Sequence, residues 1–169
     1  FGEDAFAMTD RTHQHNSASP SLPLPDYLVG REYVMIANNN RDNASLRIDF
    51  SLSQRCFVYL LVDNRIGDGN AANPPNFSTL MTWVTRDEWQ PVLNGLNRTG
   101  NPAWPDETGC DENADGSINK WYSVYMKVVE AGDAVFSTYA QNEGRNMYQI
   151  VVDSAALPAT PSGLSVALN

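Results

Sequence analysis

The chain has 169 residues, of which 42% are hydrophobic and 18% charged, a composition that describes a folded domain with a substantial core and excludes a disordered chain. Twenty acids against eleven bases give a net charge of −9, so nucleic acid and anionic membrane surfaces are excluded as partners, while divalent cations and neutral ligands are accommodated. No apolar run approaches the roughly 20 residues that cross a bilayer as a helix, so no membrane insertion is expected.

The chain begins at Phe1 with no signal-peptide pattern and reads as a mature or excised piece. Residues 1–30 are polar and punctuated by Pro20, Pro23, Pro25 and Gly30, which suits an irregular arm packed on a domain. Both histidines, His13 and His15, stand there at a spacing that puts two side chains on one face of a strand. With no third ligand nearby, they are read as hydrogen-bonding groups in a loop rather than as a metal site.

From Tyr33 the pattern becomes β. Residues 33–37 form a short apolar run, and Leu46, Ile48, Phe50 and Leu52 then alternate with polar residues, as in a strand with one wet face. Residues 56–62 are apolar throughout and predict a central strand buried on both faces. Residues 79–84 predict a further strand, and the Thr85–Glu88 spacing matches a capping box for a short helix that Pro91 and Gly95 stop. Three strands follow. In the first, Tyr122, Val124, Met126 and Val128 face the core, which leaves Trp121, Ser123, Tyr125 and Lys127 on the outer face. A turn at 130–133 leads to a strand over 134–140, and a turn at 141–145 leads to a strand over 146–152. The expected fold is all-β, an antiparallel β-sandwich of jelly-roll type over residues 1–153, with residues 154–169 as a linker or the start of a following β-module.

Residues 104–121 carry the densest chemistry. Asp111, Asn113, Asp115 and Gly116 follow the D-x-N-x-D-G calcium pattern, with the Ser117 carbonyl at the seventh position. Tyr122 replaces the closing acid and the flanks are not helical, so the loop is no EF-hand. It resembles the half-loops of dockerins and other extracellular calcium modules, which would draw the last carboxylate from Asp106, Glu107 or Glu112. The alternative is an Asp/Asn/Gly turn that needs no ion. Cys56 and Cys110 are the only cysteines; a disulfide between them is expected for a secreted chain and would pin the acidic loop to the central strand. Asn43, Asn76 and Asn97 begin Asn-x-Ser/Thr triplets.

Neutral sugars bind to flat aromatic faces flanked by polar groups, and Trp121, Tyr125, Trp104 and Trp89 are the candidate ligand-binding residues. No nucleophile elbow, phosphate loop or dinucleotide fingerprint occurs, and an Asp106/Glu107 pair is weak ground for glycoside hydrolysis, so no enzyme is expected.

The segments WVTRDEWQPVLNGLNRTGNP, DETGCDENADGSINKWYSVY and QNEGRNMYQIVV, with TDRTH and YLLVDNR before them, resemble an uncharacterised β-sandwich module of very large secreted bacterial multidomain proteins. The resemblance implies an extracellular or cell-surface setting and no particular mechanism. The expected function is a non-catalytic, calcium-stabilised module that binds a polysaccharide or glycan in surface adhesion. The alternative is a structural module that self-associates into an extracellular fibre or layer.

Overall fold

The computed structural model describes residues 1–131 and 136–154. The expected linker beyond residue 154, half of the 130–133 turn and the first residues of the strand after it lie outside these ranges. Among the described residues there are ten strands: β1 Ala5–Phe6, β2 Gln14–Asn16, β3 Glu32–Val34, β4 Arg47–Phe50, β5 Cys56–Asp63, β6 Gln90–Pro91, β7 Glu107–Asp111, β8 Lys120–Val129, β9 Phe136–Tyr139 and β10 Gln149–Asp153. Helical structure among the described residues is confined to a 3₁₀ turn at Asn38–Asp42 and a single turn, α1, at Trp83–Arg86. The fold is all-β and antiparallel.

The main sheet runs β1-β2-β7-β8-β5-β10-β3, with β6 continuing the line of β7 along β8, and β4 and β9 form a separate two-stranded sheet. The main sheet curls until its ends approach each other. The Tyr33 hydroxyl on β3 donates to the Phe6 carbonyl on β1, and Phe1 and His15 pack their rings against Tyr33.

β5 and β8 are the longest strands and pair over eight residues, Cys56↔Val129 to Asp63↔Tyr122. β5 is buried on both faces, and β8 is buried through its middle, from Tyr122 to Tyr125. Val58, Leu60 and Val62 join Ile150, Trp83, Trp89, Tyr125 and Tyr148 in one apolar cluster, while Tyr59, Leu61, Tyr122, Val124 and Val151 form a second on the opposite side. The second cluster, with Leu28, Tyr27 and Phe1, fills the inside of the curl; the first lies under the β4–β9 sheet and the segment around α1.

Four expectations change. The 1–30 arm is not wholly irregular, because it contributes β1 and β2, and β2 pairs with β7 through His15↔Cys110. No strand forms at 79–84: buried Met81 takes a left-handed backbone (φ 47°) and turns the chain into α1, which drives Trp83 and Val84 into the core. The helix therefore ends where the capping box was expected to begin it, and Asp87 is its C-cap. Finally, the Cys56–Cys110 disulfide does not form. Both thiols are free and buried. Cys56 lies opposite Val129 and Cys110 opposite Lys120, at opposite ends of β8 and about 30 Å apart along the strand. A disulfide needs its Cα atoms within about 7 Å.

Burial raises both thiol pKa values, that of Cys110 to about 12, which keeps them protonated and unreactive in the folded state. Native protein is therefore expected to leave a thiol reagent almost unconsumed, while denatured, unreduced protein yields two thiols per chain; a yield near zero after denaturation would reinstate the bridge.

Candidate functional site

Asp106 and Glu107, side by side where β7 begins, organise the loop between β6 and β7. Asp106 is fully buried and accepts four hydrogen bonds: the Asn94 and Leu96 amides on Oδ1, and the Asn94 side chain and the Tyr27 hydroxyl on Oδ2. Glu107 is likewise saturated. Its Oε2 accepts from the backbone N–H and Nε of Arg98, and its Oε1 from Arg98 Nη2 and Asn64 Nδ2. Buried carboxylates persist when hydrogen bonds replace their hydration, as they do here. Carboxylates holding this many donors are loop anchors, and no substrate-facing lone pair is left for glycoside hydrolysis.

The loop so anchored delivers Arg98 to Trp121. Its guanidinium lies 3.8 Å from the Trp121 ring centroid, and Trp121 Nε1 donates to the Ala18 carbonyl at 3.3 Å. Gly109, the register partner of Trp121, permits the close approach of the 17–18 backbone, since a Cβ there would come within 2.7 Å of the Ser17 carbonyl oxygen. The result is an open trough of about 700 Å³ with half-buried Trp121 and Arg98 at its base and Ser19, Ser21, Leu22 and Thr99 along its sides. Sequence reasoning identified Trp121 but missed Arg98 and Thr99. They stand in a glycine-flanked loop, and only the side-chain bonds to Glu107 bring them to the tryptophan.

The other aromatic candidates do not join Trp121. Tyr125 was expected on an outer face, but it is 7% exposed and packs edge-on against Phe77 at 5.2 Å, because the segment from Phe77 through β6 covers that side of β8. Ser123 and Lys127, the polar residues that made this face look wet, are satisfied internally: Ser123 donates to Asn64, and Lys127 donates to the Asp87 carbonyl and sits over the Trp89 ring. Trp89 is buried and packs edge-on against Trp83. Trp104 is half-buried in the 97–104 loop, where its carbonyl accepts from Asn97 Nδ2, and it does not line the trough.

The calcium-like loop is closed by its own hydrogen bonds. Asp111 Oδ1 accepts from the Asn113 amide and Oδ2 from the Gly116 amide, Asp115 Oδ1 accepts from Ser117, and Gly116 takes the positive φ (85°) that closes the turn. Asn113 and Ser117 serve as amide donors to these two carboxylates. Among the described residues no three His, Cys, Asp or Glu side chains gather where they would hold a metal ion. The same device recurs at the Asn-x-Ser/Thr triplets, whose Asn oxygens accept the N–H of the Ser or Thr two residues on. Asn97 is buried and donates its amide nitrogen to two carbonyls, so it offers no attachment point for a glycan. His15 is fully buried and burial depresses its pKa to about 3, which keeps it neutral; burial also lowers that of His13.

No family model matches this chain, and no curated protein or solved structure matches it either.

Two of the loop anchors set an acid limit to stability. Burial works to raise the carboxyl pKa of both Asp10 and Asp111, but backbone amides outweigh it, those of Asn38 and Asn39 at Asp10 and those of Asn113 and Gly116 at Asp111. A carboxyl whose folded pKa is depressed contributes stability above its unfolded pKa, about 4, and loses it as the pH falls through the folded value. The melting temperature should therefore begin to fall below about pH 6.5, where the unfolded chain protonates the histidine that folding keeps neutral at His15, and fall further below about 4 as Asp10 and Asp111 take protons. Asp111→Asn should lower it at neutral pH and flatten the acid limb; a limb of unchanged steepness would count against this role.

Proposed function

We propose that this domain is a non-catalytic binding module of a secreted or cell-surface protein and that its ligand is a polysaccharide or glycan. The observation that carries the reading is the trough at Trp121. It combines a half-exposed indole with a guanidinium fixed in place by a buried carboxylate, and it is bordered by the hydroxyls of Ser19, Ser21 and Thr99. A sugar ring offers an apolar face to stack and hydroxyls to hydrogen-bond, and a pre-organised aromatic with polar neighbours meets both needs. Because Glu107 locks Arg98 before any ligand arrives, little side-chain entropy is lost on binding.

Ligand contact on this reading falls to Trp121, Arg98 and Thr99; Tyr125 and Trp89 have structural roles. Glycan-array or polysaccharide-retention binding should fall at least about tenfold, roughly 1.4 kcal/mol, in Trp121→Ala. Thr99→Trp, which fills the trough without touching the core, should do the same in a protein that melts like the parent. Retained binding in both variants would remove the trough from the reading.

Calcium is not needed to close the 111–117 turn, whose carboxylate oxygens accept backbone amides. The melting temperature is expected to be the same in excess calcium and in EDTA, whereas an ion bound only by the native state would raise it by mass action.

A further inference from the structure

Three segments far apart in sequence meet at Glu112. Lys120 begins β8, Glu112 follows β7, and Asn146 stands three residues before β10. Lys120 Nζ lies 2.7 Å from Glu112 Oε2, and Asn146 Nδ2 donates to Glu112 Oε1 at 2.7 Å. One carboxylate thus holds a primary amine on one oxygen and a primary carboxamide on the other. The site is largely closed to solvent: Asn146 is 4% exposed, and the Lys120 and Glu112 side chains 20% and 23%. The Asn146 backbone is tied down as well, its N–H donating to Asp63.

Two buried polar groups without hydrogen-bond partners border the triad. The Tyr122 hydroxyl, completely buried, stands beside Asn146. His13, 9% exposed and with Nδ1 unpartnered, is near enough to feel the charges of both Glu112 and Lys120. A lysine–glutamate ion pair in a loop-rich protein needs none of this. An amine and an amide held on the two oxygens of one carboxylate make a proximity arrangement that favours an intramolecular reaction.

We propose that Lys120 and Asn146 become joined by an intramolecular isopeptide bond, formed without a cofactor and with Glu112 as the proton carrier. The Lys120 ammonium passes a proton to Glu112. The freed amine attacks Cγ of Asn146, and the carbonyl π pair moves to Oδ1. Glu112 delivers its proton to Nδ2 and takes one from the attacking nitrogen. The Cγ–Nδ2 bond breaks as the carbonyl re-forms, and the departing ammonia accepts the proton that Glu112 then holds. One ammonium and one primary amide have become one secondary amide and one ammonium ion; atoms, charge and electrons balance, and no oxidant or reductant is involved. The cross-link would tie the start of β8 to the segment that leads into β10, enclosing β8 and β9 in a covalent loop.

This proposal is independent of the ligand-binding reading. The test is intact-mass spectrometry of the folded full chain, purified and then incubated at neutral pH, followed by proteolysis. The expected result is a mass lower than the sequence mass by one ammonia, with a branched peptide joining Lys120 to Asn146. Glu112→Gln, which keeps a hydrogen-bonding side chain, should restore the full mass. If that variant fails to fold, Lys120→Arg decides, since it keeps the ion pair but cannot form the amide under these conditions. A full, unmodified mass in the folded wild type overturns the proposal. So does an ammonia loss that maps elsewhere or persists in Lys120→Arg.

Discussion

The pairing of Glu107 with Arg98 is the interaction on which the rest of the candidate site depends. Glu107 gives up its hydration to sit inside the protein, and the Arg98 guanidinium, together with the Arg98 amide and the Asn64 side chain, replaces it. That exchange fixes the β6–β7 loop to the sheet, with Asp106 holding the loop's other half. Without it Arg98 would be one more long, mobile side chain at a surface, and Trp121 an ordinary partly exposed indole. With it the two form a rigid base whose geometry is set from beneath. The strong negative charge of the chain has part of its explanation here: several of its acids are internal fastenings and not surface decoration.

The same economy runs through the connections. Asn43, Asp63, Asp68, Asn70, Asn76, Asn97, Asn101, Asp111 and Asp115 each accept the backbone N–H two residues further on. Each bond offers a turn the hydrogen-bond closure that a strand would obtain from its neighbour. A domain with so much chain outside regular structure holds its shape because its loops carry their own ties.

How far the fold was legible depended on whether a signal was local. β5 was read almost to its ends because a seven-residue apolar run, closed by the turn residues that follow Asp63, has the length and composition of a strand buried on both sides. β8 was located equally well, but one of its faces was misjudged: Ser123 and Lys127 imitate a solvated side, and their partners Asn64 and Asp87 are remote in sequence. Residues 79–84 read as a strand, yet the left-handed backbone at Met81, which no apolar pattern announces, breaks it. β7 was hidden because its acids resemble a loop until their partners are known. The calcium-like spacing is real as a pattern, and its carboxylates accept the backbone amides of turns that use the same residue types. Of the site, Trp121 was visible from its type, whereas Arg98 became visible only through a contact made in three dimensions.

The two thiols have a consequence for where and when the chain acquires its shape. Neither can reach the other, and each is enclosed by one of the two apolar clusters. The fold therefore owes nothing to an oxidant. It can be completed equally well in a reducing or an oxidising compartment, and neither thiol is exposed for mispairing.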